Sequence, residues 1–183
     1  MKFERITSPD HPAFAQAFAL YEISFPIHER RFREKQENVL AHPEYHCEVI
    51  LEAGKFIGIL LYWEYEGGFY VEHFAVDPAL RGQSYGSRAL RALGKQGKPV
   101  VLEIDPPVDE ISVRRKHFYQ KIGFQENTFP HVHPPYRPGF KGHDLVIMSF
   151  PGPLNKQEYE TFASYLANTV MADCQDVNLE KKR

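Results

Sequence analysis

Three observations predict an α/β (α+β) fold with a mixed central sheet of about seven strands and flanking helices. Three apolar runs follow one another between residues 45 and 76, separated by the turn pairs Ala53-Gly54 and Gly67-Gly68. Segments with apolar residues at helical spacing lie on both sides of those runs. The third run ends at Asp77-Pro78 and passes through a loop of small residues into a further helical segment, the strand–loop–helix order of layered α/β domains.

Taken in order, Lys2 to Thr7 reads as a first strand at or near a sheet edge. Phe14, Ala17, Phe18, Tyr21 and Phe25 recur at helical spacing, so residues 11–24 form an amphipathic helix that Pro26 stops. His28 to His42 is charged and helix-permissive, with Phe32, Val39 and Leu40 as its few apolar anchors, and reads as a mobile second helix. Tyr45–Glu52, Lys55–Glu66 and Phe69–Val76 are strands whose near-continuous hydrophobicity requires cover on both faces. Helices at 84–96 and 110–121 flank a buried strand at 100–105, and strands at 124–127 and 143–150 complete the sheet. Residues 155–171 put Tyr159, Phe162, Ala163, Leu166 and Val170 on one face of a last helix. The final dozen residues are polar and expected to fray. The reading is one domain over 1–151, with the helix and tail of 152–183 packed on or extending it.

Composition narrows the function classes. At 183 residues with 43% hydrophobic and 25% charged residues, the chain suits a globular domain with a core of its own. A formal net charge of −2 and the lack of a basic stripe argue against nucleic-acid binding through phosphate neutralisation. The start, M-K-F-E-R-I-T, lacks an apolar signal core, and no run reaches the roughly 18 apolar residues of a membrane span. A cytoplasmic protein, monomer or homodimer, is expected. Cys47 and Cys174 are far apart and outside any C-x-x-C, so two unpaired thiols are expected.

The most informative stretch is Asp77 to Leu90, D-P-A-L-R-G-Q-S-Y-G-S-R-A-L. Backbone N–H groups converge where its loop opens a helix at about Ser84, which makes an anion cradle. Arg81 adds positive charge, while Gly82 and Gly86 leave room for a ligand to approach the backbone, so a pyrophosphate fits. Neither the three-glycine dinucleotide fingerprint nor the phosphate loop of NTPases is present. Instead, Arg81-Gly82-Gln83-Ser84-Tyr85-Gly86 resembles the acyl-CoA loop [QR]-x-x-G-x-[GA] of the GNAT superfamily of N-acyltransferases, with Ser84 in place of the first glycine. His117-Phe118-Tyr119-Gln120-Lys121-Ile122-Gly123-Phe124 resembles that family's F-Y-x-x-x-G-F, in the same order and spacing. The likeness runs from about Met1 to Phe150. It sharpens to a bacterial subgroup without an assigned substrate through Glu103-Ile104-Asp105-Pro106, Arg114 to Tyr119, Pro134-Pro135-Tyr136-Arg137 and Leu145 to Pro151.

The resemblance implies acetyl-CoA as cosubstrate, with strands four and five splayed so that pantetheine pairs with the edge at Phe74, Ala75 and Val76. It implies cofactor contacts from Arg81, Gly82, Gln83, Ser84, Tyr85, Gly86 and Ser87, and puts Ser112 where relatives place a pantetheine-binding asparagine. Acetyl transfer to a primary amine needs a base, an oxyanion donor, an acid for the thiolate and alignment of both substrates. Tyr119 is the candidate acid, against a core-aromatic role. Glu72 is slightly preferred as base or amine anchor, with Glu103 nearly equal, and both compete with purely structural roles. His73, expected opposite Glu72 on its strand, reads as a core histidine. Arg114, Arg115 and Lys116 either meet CoA phosphates or form a solvated helix face. His131-Val132-His133 lacks a convincing third ligand and reads as loop, with no metal. Phe25, Glu29, Arg30 and Tyr136 are the candidate contacts at the acceptor entrance, with Arg137 beside Tyr136. The amine is a small molecule or a protein. A CoA-binding sensor or pseudoenzyme is the alternative class, and a Rossmann-type oxidoreductase a distant third.

Overall fold

The computed structural model describes residues 1–174, so most of the tail expected to fray lies outside the described residues. The elements are β1 Lys2–Ile6, α1 Phe14–Ser24, α2 Arg33–Val39, β2 Tyr45–Glu52, β3 Lys55–Tyr65, β4 Gly68–Val76, α3 Tyr85–Gly94, β5 Val100–Ile104 and α4 Glu110–Ile122. They continue as β6 Gln125–Glu126, β7 Val132–His133, β8 His143–Asp144, β9 Val146–Phe150 and α5 Lys156–Tyr165. Seven strands form one mixed sheet in the order β1-β2-β3-β4-β5-β9-β6, while β7 and β8 form a separate hairpin. Within the sheet only β4 and β5 run parallel.

Burial on both sheet faces explains why the strands lack clean alternation. One layer packs Phe14, Phe18 and Tyr21 of α1 and Phe162 of α5 against Val49, Ile59 and Tyr70. The other packs Ala89, Leu90 and Leu93 of α3 against Leu60, Phe69 and Leu102. Leu166 and Val170, in a π-helical turn that continues α5, and Met171 just after it are buried in the first layer. Cys47 and Cys174 are free and buried. Among the described residues no helix is long and apolar enough to cross a membrane.

Two expected elements differ. The continuous helix over 28–42 is instead a short 3-10 turn at Ile27–Glu29, an extended step through Arg30 and Phe32, and then α2. That step is held by Arg137, which donates to the carbonyls of Arg30 (2.8 Å) and Arg31 (3.1 Å), and it sends the Arg31 side chain into the core. The strand expected over 143–150 divides at Leu145, whose N–H donates to the His131 carbonyl, so that His143 and Asp144 pair with β7 rather than with β5.

Candidate active site

The site begins with a backbone irregularity. Leu61 pairs with His73 and Tyr62 with Val71, leaving Glu72 as an extra residue in β4. A bulge of this kind bends and twists its strand. Parallel pairing between β4 and β5 is confined to Phe69, Tyr70 and Val71 against Val100, Val101 and Leu102. From Glu72 onward β4 pairs only with β3, and Glu103 and Ile104 of β5 only with β9. The parted strands open a cleft of about 1030 Å³, and among the described residues the β5-facing edge of residues 73–76 has no strand partner.

The glycine-rich loop closes one end of this cleft. Asp77 caps a 3-10 turn at Pro78–Leu80 by accepting from the Ala79 N–H (2.9 Å). The chain then turns through Gly82 (φ 78°) and Ser84 (φ 61°, ψ 8°) into α3. Ser84 thus holds the left-handed conformation that glycine adopts without strain, which accounts for the family's preference at this position. No side chain caps α3, so the N–H groups of its first turn remain available to a ligand. Arg81, Gly82, Ser84, Tyr85, Gly86 and Ser87 all line the cleft, whereas Gln83 is exposed outside it. The reason for Gly86 is closer packing than ligand access alone requires. A Cβ there would lie 3.3 Å from the rings of both Phe74 and Phe118.

On the α4 side, Tyr119 lines the cleft between Phe118 and Phe124, with ring centroids 5.1 and 5.7 Å away. Burial pushes its phenol up to about 12, with Arg115 pulling weakly the other way. Its hydroxyl has no hydrogen-bond partner among the described side chains, unlike those of Tyr70, Tyr136 and Tyr159. Arg114 and Arg115 reach the cleft but hold Glu110 and Asp105, and Lys116 turns to Glu126. Ser112 does not face the cleft. It is buried as the third residue of α4, and its N–H and hydroxyl form a reciprocal capping box with Asp109. The pantetheine contact expected of it is therefore corrected to a helix cap.

The two carboxylates sit on either side of the split, in different surroundings. Glu72 has a fully buried side chain that accepts from the Arg31 guanidinium, from Trp63 Nε1 (2.9 Å) and from the Tyr136 hydroxyl (3.0 Å). Burial alone would raise its carboxyl, but Arg31, His73 and these donors outweigh that and hold it below the usual carboxylate range. Arg31 is itself wholly buried, donates to the Val170 carbonyl (2.6 Å) and lies between the Trp63 and Tyr136 rings. Three donors, one of them a buried guanidinium, engage this carboxylate in a structural ion pair, which weighs against the preference for Glu72 as base.

The bulge also corrects the orientation of His73. Because Glu72 is the extra residue, His73 falls on the same face. Its ring meets Tyr21, Phe25 and Tyr136 edge-on or tilted, and its Nε2–H donates to the Glu29 carbonyl (2.8 Å). Burial depresses it to about 4. It is a core histidine, as its sequence context suggests, though it also borders the cleft.

Glu103 accepts hydrogen bonds from His131 Nε2 and from the Tyr70 hydroxyl, and His133 Nε2 stands 3.7 Å from its second oxygen. Burial opposes its ionisation, but His133, His131 and Tyr70 together keep its carboxyl below the ordinary range. The H-V-H stretch is therefore not a bare loop. Both histidines are buried and converge on one carboxylate, and the described residues contain no group of three or more His, Cys, Asp or Glu side chains arranged to hold a metal ion. At the entrance, Phe25, Glu29 and Tyr136 line the cleft. Arg30 does not, since it turns outward to Glu22 (3.3 Å).

Arg31, Trp63 and Tyr70 are polar partners that the sequence did not single out, and His131 and His133 are partners that it read as loop. The available signal was the presence of Glu72 and Glu103 in apolar strands, since a buried carboxylate requires donors or a cation. Which residues supply them is set by contacts across 9 to 41 positions of sequence.

A sheet whose central parallel pair parts above an uncapped helix N-terminus defines the GNAT class of acyltransferase folds, and comparison agrees. The family profile described as acetyltransferase (GNAT) domain matches residues 43–126. A Bacteroides thetaiotaomicron structure assigned to the GNAT family superposes with a TM-score of 0.87 at 32% identity, covering 93% of this chain and 98% of that one. YjbC of Bacillus subtilis, a provisionally assigned acetyltransferase, is 32% identical over 106 residues, which is 55% of this chain. The match spans about half (52%) of that relative. A Bacillus subtilis acetyltransferase in complex with CoA shares the fold at 14% identity, with a TM-score of 0.55 over 81% of this chain and 96% of that one. The chain belongs to the GNAT family.

Proposed function

We propose that this protein transfers an acetyl group from acetyl-CoA directly to a primary amine, without a covalent enzyme intermediate. One observation carries the reading: the unpaired edge of β4 leads directly into an uncapped helix N-terminus, in one continuous cleft. Pantetheine would pair with residues 74–76 as an added strand, and the pyrophosphate would meet the first-turn N–H groups of α3 beside Arg81. An N–H of that edge would polarise the thioester carbonyl. Tyr119, protonated at neutral pH and free of other hydrogen bonds to described side chains, would donate to the departing sulfur. Of the two carboxylates we assign the amine's proton to Glu103, because Glu72 is committed to Arg31. Phe25, Glu29 and Tyr136 would form the acceptor wall, and a small-molecule or protein amine would enter between them. Residues 1–151 would supply this machinery, with the C-terminal helix as part of the same unit. That a protein of the same fold has been crystallised with CoA agrees with this assignment.

Calorimetry with acetyl-CoA, followed by thiol release measured over spermidine, kanamycin and peptide amines, tests it. Saturable binding with amine-dependent thiol release is expected. Binding without release for every acceptor would favour a CoA sensor, and no binding would reject the reading.

A further inference from the structure

The proton economy of the cleft extends one residue beyond Glu103. The Pro134 carbonyl can only accept, so the 2.6 Å contact with His133 Nδ1 requires the proton on that nitrogen. Nε2 is then left with a bare lone pair. It is buried, has no hydrogen-bond partner among the described residues, and stands 3.7 Å from a Glu103 oxygen. Two lone pairs facing each other in a buried site repel, and a proton arriving between them converts that repulsion into an ion pair.

Resting on the transferase reading above, we propose that Glu103 takes the proton of the acceptor amine and passes it to His133 Nε2, which stores it as imidazolium during acyl transfer. The amine N–H bond breaks, the proton moves to the carboxylate oxygen and then to Nε2, and Glu103 recovers its charge. Of the two protons an ammonium loses on becoming an amide, one is released to solvent from His133 after product leaves. The other balances, through solvent, the proton that Tyr119 gives to sulfur. Glu103 borders the cleft and is the catalytic residue; His133 acts through it.

The division of labour follows from the surroundings. Glu103 alone is a weak proton acceptor, because the hydrogen bonds it accepts from His131 and Tyr70 favour its ionised form, and it needs a store behind it. His133 lies within the field of Glu29 from the 27–29 turn, His73 from β4 and His143 from β8, and its ring stacks on Tyr136 at 4.9 Å. Glu103 is the carboxylate nearest Nε2 and fixes where the proton rests. His131 grips the other oxygen of Glu103 and keeps the carboxylate turned toward its neighbour.

Long-range ¹⁵N–¹H spectra of the wild-type protein at neutral pH report the tautomer directly. The Nδ1–H form of His133 is expected, and an Nε2–H form would overturn the proposal. With an acceptor found in the thiol-release panel, H133Q should lower kcat by roughly 10²-fold. Its acidic limb should move toward the pKa of the free amine, while KM for the amine and affinity for acetyl-CoA stay within about twofold. E103Q should behave likewise, and the double variant should be no slower than E103Q, because both act on one proton. An H133Q protein with wild-type kcat and pH profile would reduce His133 to packing while leaving the transferase reading intact. A wild-type protein that binds acetyl-CoA but acetylates nothing would fail that reading, and the relay with it.

Discussion

Replacing Glu72 by glutamine separates its structural role from a catalytic one. The carboxylate accepts from Arg31, Trp63 and Tyr136 with no side-chain exposure, and glutamine keeps one carbonyl oxygen for three donors while removing the charge. Arg31 would then be buried against the Val170 carbonyl and Asp173, whose carboxylate is 3.7 Å away and partly exposed. Removing one partner of a buried pair costs about 3–5 kcal/mol. For a domain of this length each kcal/mol lowers Tm by about 2–4 °C, so a fall of at least ~6 °C is expected at pH 7. The sign of the pH dependence follows from the lowered carboxyl. The pair's stabilisation is complete above the unfolded carboxylate pKa and is lost as pH falls through the lower folded value, so the wild-type advantage over E72Q should shrink below about pH 4.5. Thermal melts followed by circular dichroism from pH 7 to 3 measure this, with R31M and R31M/E72Q completing a double-mutant cycle. The double variant should be less destabilised than the sum of the singles, since neither charge is left alone. An E72Q protein that melts within ~2 °C of wild type but has lost roughly 10²-fold in kcat would refute the argument and return Glu72 to the chemistry.

Gly86→Val places a branched side chain where even a Cβ would lie 3.3 Å from the rings of Phe74 and Phe118, displacing the first turn of α3. Acetyl-CoA affinity should fall at least ~10-fold, about 1.4 kcal/mol, and unchanged calorimetric affinity in a folded variant would move the cofactor elsewhere. Tyr119→Phe keeps the packing against Phe118 and Phe124 but removes the acid, so kcat should drop by roughly 10²-fold with CoA affinity little changed. Wild-type turnover would make Tyr119 a core aromatic only. His73, depressed to about 4, must be charged in the unfolded chain and neutral in the folded one over the interval from about 6.5 down to that value. Stability should therefore decline with acid by up to ~1.4 kcal/mol per pH unit across it, and His73→Phe should flatten that slope in urea unfolding at stepped pH.

Local sequence determined the parts of this protein that depend on neighbouring residues. The apolar runs from 45 to 76 and their turn pairs specify β2, β3 and β4. The small-residue loop after Asp77 specifies an uncapped helix start, and even the substitution at Ser84 is legible as a left-handed position occupied by something other than glycine. Phe25, Glu29, Tyr119 and Tyr136, each named from the sequence, all line one cleft. Tertiary structure alone decided the electrostatics. A bulge cannot be read from one strand, because it is a mismatch between two, yet the one at Glu72 turns that residue and His73 to the same side and parts β4 from β5. Arg31 and Arg30 are adjacent and chemically identical, but the extended step before α2 buries the first against Glu72 and leaves the second on Glu22. His131 and His133 are spaced like loop histidines, and only the β7–β8 hairpin brings them to Glu103. Burial and partner choice shift the titration of Glu72, His73 and Glu103, and both are properties of contacts between residues remote in the chain.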